Sequence, residues 1–389
     1  MRFLSLFFCG LLIFSSFILS YPAQFDVHRY IVMRADRRGR IRSVPGLDIV
    51  DITPGALNRL LQDGTYTYAF ADIPVTIFDV PSRDEYSLAG QDFLDFHAVP
   101  QAWEALDELG IVPGKGVRVA VVDTGIFFAH PEWNLADVFQ IIAAPFILGG
   151  VTVGSPQIDQ HFHGTWVASI IAAPKNKRPP VGIAYSAEIA SVGFLPCGSG
   201  TVSDAVIALD QAILSGAHII NNSWGFINTS NEPYRPILDI FRAAIDRGIF
   251  ITVAAGNSNT TSDVVQPASL CRRLSGAMSV GSVARNKSKS YFSNYGGLAE
   301  IGALGEEIFG LDLGQKTTTA SGTSASAPIV AGIAALGLTL KKMPPAELEN
   351  ALIQSGEDIN VPFHNKKLVN AKGLIDLLLR QDQNMGGQL

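Results

Sequence analysis

Hydrophobic residues from Val117 onward fall into short, unbroken runs separated by segments of helical periodicity. The runs VRVAVV, EIASVGF, HIINNS, IFITVA and AMSVGSV each have the length of a strand buried on both faces. Between them, Leu209 and Ile213 lie on one face of a helical segment that stops at Gly216, and a second such segment stops at Gly248. Strand and helix alternate, so we predict an α/β fold: a three-layer parallel sheet with helices on both faces.

The segment over residues 24–87 has a different pattern. It contains HRYIVMRADRR, then a polar stretch, then GTYTYAFADIPVTIFDV, which is rich in aromatic and β-branched residues. Together these are enough for a small α+β unit. We therefore predict a leader domain over residues 24–87, followed by the α/β domain over residues 95–380.

The first residues read as an export signal. Residues 3–19 are almost wholly apolar, follow Arg2 and give way to the turn-like SYPA. We predict a signal peptide over residues 1–20 and a secreted or periplasmic protein. An uncleaved N-terminal membrane anchor stays open, because the run is close to a membrane span in length and no clear A-x-A cleavage site follows it.

Composition narrows the class of protein. The chain has 389 residues, 47% of them hydrophobic and 16% charged, which is typical of a globular protein. Its net charge is −6 and its one dense basic run, RADRRGRIR, is short, so we expect no nucleic-acid partner. Cys9 lies in the signal, which leaves Cys197 and Cys271 as one disulfide or two thiols. No Cys/His spacing indicates a metal site.

The tripeptide Asp-Thr-Gly ends the run VRVAVVDTGI and places Asp123 at the carboxyl end of a strand, where parallel sheets hold their ligands. Two protease classes use this tripeptide. An aspartic protease needs a second carboxylate and hence a second copy, and the sequence contains none. In a serine protease a single aspartate orients a histidine. The pattern therefore favours a serine protease.

Three further residues complete that chemistry. His163, in HFHGTWVASIIAA, stands at a turn before an apolar helical run, which would hold an imidazole in place. Ser324, in ASGTSASAPIVAGIAALG, precedes a helix that we expect to begin at Pro328 and whose N–H groups favour an oxyanion. Asn257, in ITVAAGNSN, brings a side-chain amide to the same sheet edge as a second oxyanion donor.

The motifs VVDTGI, HGT, AAGN and GTSASAP, in this order, resemble the subtilisin-type serine proteases, the subtilases. The resemblance implies that Ser324 attacks the scissile carbonyl and that His163 takes and returns its proton. It also implies that Asp123 holds the imidazole, and that Asn257 and the Ser324 N–H bind the oxyanion.

The same resemblance implies a substrate cleft for proteins or peptides. Two segments match those that pair with an extended substrate backbone, which recognises any peptide. The segment SDVVQPASL matches the wall of the pocket for the P1 residue, the one before the scissile bond. At this wall it offers Val264, Val265 and Gln266, which carry no charge, so we predict an apolar or small uncharged P1 residue. The substrate-binding residues implied in this way are Gly198, Ser199, Gly200, Ser223, Trp224, Gly225 and Val265.

The leader resembles, more weakly, the inhibitory propeptide of this family, which implies a self-processing zymogen with its own propeptide as partner. A leader that stays attached is the alternative. We expect a monomer and no cofactor. Calcium is common in the family, and Glu132 stands where a carboxylate ligand often lies, but Lys175, Lys177 and Arg178 would repel a cation there. A calcium site elsewhere stays open.

Two other functions compete with that of a secreted serine endopeptidase. A catalytically silent pseudoprotease would bind peptides without cleaving them, if the bulky Phe162 and Trp166 closed the site beside His163. An α/β hydrolase acting on esters would need a G-x-S-x-G elbow and another residue order, and the sequence has neither. The presence of all four motif residues favours the endopeptidase.

Overall fold

The structure is a computed structural model that describes residues 28–78, 91–133, 138–141, 147–148, 151–152, 159–176, 178–230 and 232–386. The predicted signal peptide over residues 1–20 lies outside the described residues.

The first described unit is a small antiparallel sheet with one helix. Its strands are β1 (His28–Arg34), β2 (Leu47–Ile52) and β3 (Tyr66–Ala71), in the order β2-β1-β3, and its helix is α1 (Pro54–Gln62). Thr53 caps this helix, because its hydroxyl accepts from the Ala56 N–H. Strand β4 (Pro74–Ile77) follows this unit in the chain and forms a sheet with strands of the second unit.

The second unit is built on a nine-stranded sheet in the order β19-β20-β16-β15-β13-β11-β5-β9-β6. All of its strands run parallel except β19, which pairs antiparallel with β20. The strands are β5 (Arg118–Asp123), β6 (Val138–Ile141), β9 (Glu188–Gly193), β11 (Ile219–Asn222), β13 (Phe250–Ala254), β15 (Ala277–Val283), β16 (Ile301–Leu304), β19 (Glu357–Asp358) and β20 (Lys367–Leu368).

Smaller strands and helices surround this sheet. The other strands are β7 (Ile147–Leu148), β8 (Val151–Thr152), β10 (Ser199–Thr201), β12 (Trp224–Ile227), β14 (Val265–Gln266), β17 (Ile308–Leu311) and β18 (Thr317–Ala320). The helices are α2 (Phe93–Phe96), α3 (Val99–Asp107), α4 (His163–Ala172), α5 (Val202–Leu214), α6 (Arg235–Ile245), α7 (Ala268–Cys271), α8 (Thr323–Leu340), α9 (Pro345–Ser355) and α10 (Ala371–Gly386).

Strand β5 shows why the strand runs are continuously apolar. Val119 and Val121 pack into a core that includes residues of α4 and α8, whereas Ala120 and Val122 pack into a core that includes residues of α5 and α6. Both faces of the sheet are therefore covered, and every residue of the strand needs an apolar neighbour. The predicted parallel sheet with helices on both faces is confirmed.

Helix α8 begins earlier than the sequence predicts. It starts at Thr323, and Pro328 lies inside it rather than at its first position. Proline has no N–H to donate to the carbonyl four residues earlier, which is that of Ser324. The Ser223 hydroxyl donates to this carbonyl instead, at 3.1 Å. A side chain from another segment thus lets the helix extend upstream of its proline.

By its length and its apolar composition, helix α8 could cross a membrane, but 89% of it is buried inside the second unit. It packs between the sheet and helices α4, α9 and α10 as the central helix of that core. Its hydrophobicity is therefore explained by the fold.

Cys271 is a free, buried thiol at the end of α7. Burial, followed by the charges of Glu300 and Glu349, raises the pKa of this thiol well above its usual value, so it stays protonated. A disulfide between Cys197 and Cys271, one of the two possibilities left by the sequence, is excluded.

Candidate active site

The carboxyl edge of the parallel sheet brings the motif residues together. Asp123 is the last residue of β5, and Asn257 follows β13. His163 is the first residue of α4, and Ser324 is the second residue of α8. Parallel strands end at one edge, so residues far apart in sequence meet there.

Asp123 and His163 form a buried hydrogen-bonded pair. His163 Nδ1 lies 2.7 Å from Asp123 Oδ1, and both side chains have no exposed surface. The Thr124 N–H also donates to Asp123 Oδ1, at 2.7 Å. A carboxylate only accepts, so Nδ1 carries the proton and Nε2 is the nitrogen with a lone pair. This is the tautomer that a general base requires.

The glycine of the HGT motif lets the two segments approach. A Cβ at Gly164 would lie 2.1 Å from the carbonyl oxygen of Gly125, which only glycine allows. The Gly164 N–H donates to Thr124 Oγ1 at 2.8 Å. The start of α4 is thereby held directly against the loop that follows Asp123.

Ser324 contacts the end of the first unit. Its hydroxyl donates to the carbonyl oxygen of Phe78, the residue after β4, and lies 3.3 Å from the carbonyl oxygen of Ser223. A Cβ at Gly322, where φ is +153°, would lie 2.8 Å from the Phe78 oxygen. The backbone beside Ser324 therefore leaves room for a carbonyl group.

Asn257 donates to the same carbonyl. Its Nδ2 lies 3.0 Å from the Phe78 oxygen. Its Oδ1 accepts from both the N–H and the hydroxyl of Thr323, each at 2.9 Å, which fixes the orientation of the amide. The Ser324 hydroxyl and the Asn257 amide thus both donate to one carbonyl oxygen, and the amide is a donor of the kind that an oxyanion hole uses.

Strand β4 lies between the two segments predicted to hold a substrate backbone. It pairs antiparallel with β10 and with β12. Just before β10, Gly198 has φ +85°, and Ser223 lies just before β12. The pairs are Ser199 with Thr76, Gly200 with Val75, Trp224 with Ile77 and Gly225 with Thr76.

The Phe78 ring enters a pocket over Gly225. A Cβ at Gly225 would lie 2.0 Å from Phe78 Cζ and 2.8 Å from the Gln266 carbonyl oxygen. The Gln266 side chain turns away, because its Oε1 accepts from the Tyr234 N–H. Val265 is buried beside Gly256. The absence of a side chain at position 225 makes room for an aromatic ring.

The bulky residues near His163 occupy different places. The indole N–H of Trp166 donates to the Ile308 carbonyl at 3.0 Å, and the ring is wholly buried. Gly310 makes room for it, since a Cβ there would lie 2.4 Å from Trp166 Cδ1. Phe162 is partly exposed and stacks on His161. The volume of Trp166 is therefore accommodated by β17 in the core.

Glu132 is bound to other side chains. The Asn176 amide donates to its Oε2 at 2.8 Å, and Arg178 Nη1 lies 3.6 Å from its Oε1. A guanidinium beside the carboxylate leaves this position a poor fit for calcium. Within the described ranges, no group of three or more His, Cys, Asp or Glu residues could hold a metal ion.

Three residues at this site did not emerge from the sequence. Phe78 ends a strand-like run, but its meeting with Ser324 depends on docking between the two units. Thr323 carries no signal beyond its place before Ser324. Asp159, a buried acceptor next to α4, stands in a polar segment where aspartate ordinarily indicates a turn.

Comparison with known proteins places this geometry in a family. The sequence pattern of the Subtilase family matches residues 114–373. Subtilisin Savinase of Lederbergia lenta is 36% identical over 265 residues, which cover 67% of this chain and 90% of that protein. M-protease of Shouchella clausii is 34% identical over 265 residues, and the match spans 64% of its length.

A solved structure agrees. The crystal structure of a cold adapted subtilisin-like serine proteinase superposes with a TM-score of 0.58 at 28% identity, covering 67% of this chain and 90% of that one. The family match covers more than half of the chain, and Asp123, His163, Asn257 and Ser324 all lie within the matched residues. The chain therefore belongs to the subtilase family, the subtilisin-like serine endopeptidases.

Proposed function

We propose that the chain is an exported serine endopeptidase made as a zymogen, and that the leader is both its inhibitor and its first substrate. The observation that carries the proposal is the Phe78 carbonyl, which accepts from Ser324 Oγ and, at 3.0 Å, from Asn257 Nδ2. A peptide carbonyl that the Asn257 amide holds beside the Ser324 hydroxyl lies where a substrate carbonyl or a product carboxylate would lie.

The reaction follows from the roles of the four residues. Ser324 Oγ attacks the carbonyl carbon while its proton passes to His163 Nε2. The oxyanion that forms is stabilised by Asn257 Nδ2 and the Ser324 N–H. His163 then gives the proton to the leaving amine, and water hydrolyses the acyl-enzyme by the same steps in reverse. Asp123 keeps the imidazole in the required tautomer and stabilises its charged form.

The first bond to be cut is Phe78–Asp79. Strand β4 runs into the site with backbone pairing on both sides, so Phe78 occupies the P1 position and Asp79 would start the leaving chain. This bond lies inside the predicted leader range of residues 24–87, before its end. After the cut, the pairing of β4 keeps the leader in the cleft as an inhibitor.

Aromatic and apolar residues are the proposed P1 preference. The pocket over Gly225 accepts the Phe78 ring, and the side chains of Val264, Val265 and Gln266 bring no charge to this wall. A peptide series that varies only P1 in the sequence Pro-Val-Thr-Ile-P1 tests this. We expect Phe and Leu to be cleaved at least tenfold faster than Lys, and a profile dominated by Lys or Arg would contradict it.

The remaining features of the proposal concern setting. An N-terminal signal would carry the chain out of the cytoplasm, where it would act as a monomer on protein substrates. No step of the proposed hydrolysis passes through a metal ion, and any calcium would serve stability at a site other than Glu132.

Covalent labelling by a fluorophosphonate probe tests the activated serine. Ser324 Oγ would displace fluoride from phosphorus, with His163 taking the proton, so the processed protein should gain the mass of the probe less that of HF. We expect labelling to vanish in Ser324→Ala and to persist in Ser326→Ala, a matched serine two residues along α8. A correctly folded, leader-free wild type that resists the probe would instead support the silent pseudoprotease.

A further inference from the structure

Asp159 is a buried carboxylate that accepts an unusual number of hydrogen bonds. It is 2% exposed. Its Oδ1 accepts from the Thr124 hydroxyl at 2.9 Å and from the N–H groups of His161 and Phe162 at 2.8 and 2.9 Å. Its Oδ2 accepts from the N–H and the hydroxyl of Thr165 at 3.0 and 2.6 Å. Such convergence on a desolvated carboxylate implies a strongly specified position.

These bonds connect the segment after Asp123 to the segment around His163. Thr124 donates to Asp159 and accepts from the N–H of Gly164, the residue after His163. Thr165 donates to Asp159 and accepts from the Phe127 N–H at 2.8 Å. Asp159 is therefore the common acceptor of two hydroxyls that each bridge the loop after β5 and the first turn of α4.

The same carboxylate holds a strained turn. Phe162 has φ +84° and ψ −27°, in the left-handed region that a bulky residue rarely adopts. It directly precedes His163, so its conformation decides the direction from which the imidazole enters the site. The two N–H groups bound by Asp159 Oδ1 belong to Phe162 and to the residue before it.

We propose that Asp159 is the positioning residue for the catalytic base. It contacts neither substrate nor reacting atoms in this role; it sets the distance and angle between His163 and Asp123. The inference rests on the proposed function, since it requires His163 to act as the base. Its consequence is that loss of the Asp159 carboxylate slows the chemical step itself.

The test is the first-order rate of self-cleavage in the intact chain, which reports the chemical step without substrate binding from solution. In Asp159→Asn, one oxygen becomes an amide N–H₂ that cannot accept from Thr165. We expect cleavage to slow by about 10²-fold, the scale of a displaced catalytic group. Cleavage at the wild-type rate would overturn the inference.

A double-mutant cycle separates positioning from mere support of the fold. If Asp159 acts by aligning His163 with Asp123, then Asp159→Asn should slow an Asp123→Asn chain by less than threefold. The reason is that in this background the Asp123 carboxylate is missing, so the alignment of His163 with it no longer contributes to the rate. A double variant whose loss in cleavage rate equals the product of the two single losses would overturn the inference. A wild type that neither cleaves nor labels with the probe would refute the proposed function instead.

A milder pair of variants covers the case in which Asp159→Asn does not fold. Thr124→Val removes the hydroxyl that links Asp159 to Gly164, and we expect about tenfold slower cleavage. Thr319→Val is the matched control, because among the described residues the Thr319 hydroxyl is buried without a hydrogen-bond partner. Equal rates in the two variants would contradict the proposal.

Discussion

The leader, which is the first unit, and the second unit, called the catalytic unit below, bury their hydrophobic residues in opposite ways. The catalytic unit covers both faces of its own sheet with its own helices. The leader has only a small core of its own, around Val32, Leu57 and Tyr66. The other face of its sheet, including Ile31 and Leu47, packs into the core that surrounds α5 and α6 of the catalytic unit.

Polar contacts show the same dependence of the leader on its neighbour. The Asp72 carboxylate accepts from the N–H and hydroxyl of Ser203 in the first turn of α5, at 2.8 and 2.7 Å. The Tyr68 hydroxyl donates to Asp239 of α6 at 2.7 Å. A unit held mainly by another surface can dissociate once its covalent link is cut, whereas the catalytic unit keeps its core. This difference suits an inhibitor that is later removed.

The largest expected effect concerns the cleavage of the leader by the catalytic unit. Ser324→Ala removes the proposed nucleophile, and self-cleavage should fall by about 10⁶-fold, the scale of loss when the catalytic serine of subtilisin is removed. Gel analysis over time after refolding measures it. Ser326→Ala should process normally, and a Ser324→Ala chain that still separates its leader would show that another protease makes the cut.

The next effect concerns the oxyanion donor. Asn257→Ala removes the amide that lies 3.0 Å from the Phe78 oxygen, and we expect self-cleavage to slow by about 10²–10³-fold. Ser258→Ala, an exposed neighbour, serves as the control. An unchanged rate in a folded Asn257→Ala chain would remove this residue from the chemistry.

A smaller effect concerns what holds the leader after cleavage. Asp72→Ala removes two charge-assisted hydrogen bonds at the N-terminus of α5, so the cut leader should leave about 10- to 100-fold faster. The lag before activity on a fluorogenic peptide measures this release. Asp51→Ala, which breaks an exposed ion pair within the leader, should leave the lag unchanged. Equal lags would mean that Asp72 contributes nothing to docking.

The smallest effect concerns a buried carboxyl group of the catalytic unit, Glu300, and its contribution to stability. Burial raises the pKa of Glu300 to about 7, with a further contribution from Glu349, while bonds from Ser279 oppose the rise. The unfolded chain therefore loses this proton first, and stability falls as pH rises from about 4.5 through 7. Glu300→Gln removes this loss of stability, because an amide does not ionise.

In the inactive Ser324→Ala background, Glu300→Gln should raise the free energy of unfolding by about 1–2 kcal/mol at pH 8.5 and give no gain at pH 4. Calorimetry should show this as a melting temperature about 2–8 °C higher. A gain of equal size at both pH values would mean that the titration of Glu300 is not its source.

Much of the fold of the second unit was predictable because five strands of its sheet, β5, β9, β11, β13 and β15, are buried on both faces, so their composition alone indicates them. The helices ending near Gly216 and Gly248 were predictable from their apolar faces and terminal glycines. The motif residues Asp123 and His163 were recognisable from their local sequence, and the structure brings them within 2.7 Å.

The rest depends on contacts between distant segments. The start of α8 at Thr323 relies on the Ser223 hydroxyl, about a hundred residues earlier, which replaces the N–H missing at Pro328. Phe78 reaches the site only because β4 pairs with strands more than a hundred residues later. Asp159 accepts from groups two to six residues later, but its bond from the Thr124 hydroxyl joins it to a segment 35 residues earlier, which no local pattern indicates.

The central claim is that the chain presents its own Phe78–Asp79 bond to Ser324. Time-resolved intact mass of the purified wild-type zymogen, with N-terminal sequencing of the first product, tests it most directly. The account predicts a leader fragment that ends at Phe78 and a catalytic chain that starts at Asp79, before any further trimming. A first cut at another bond would contradict it.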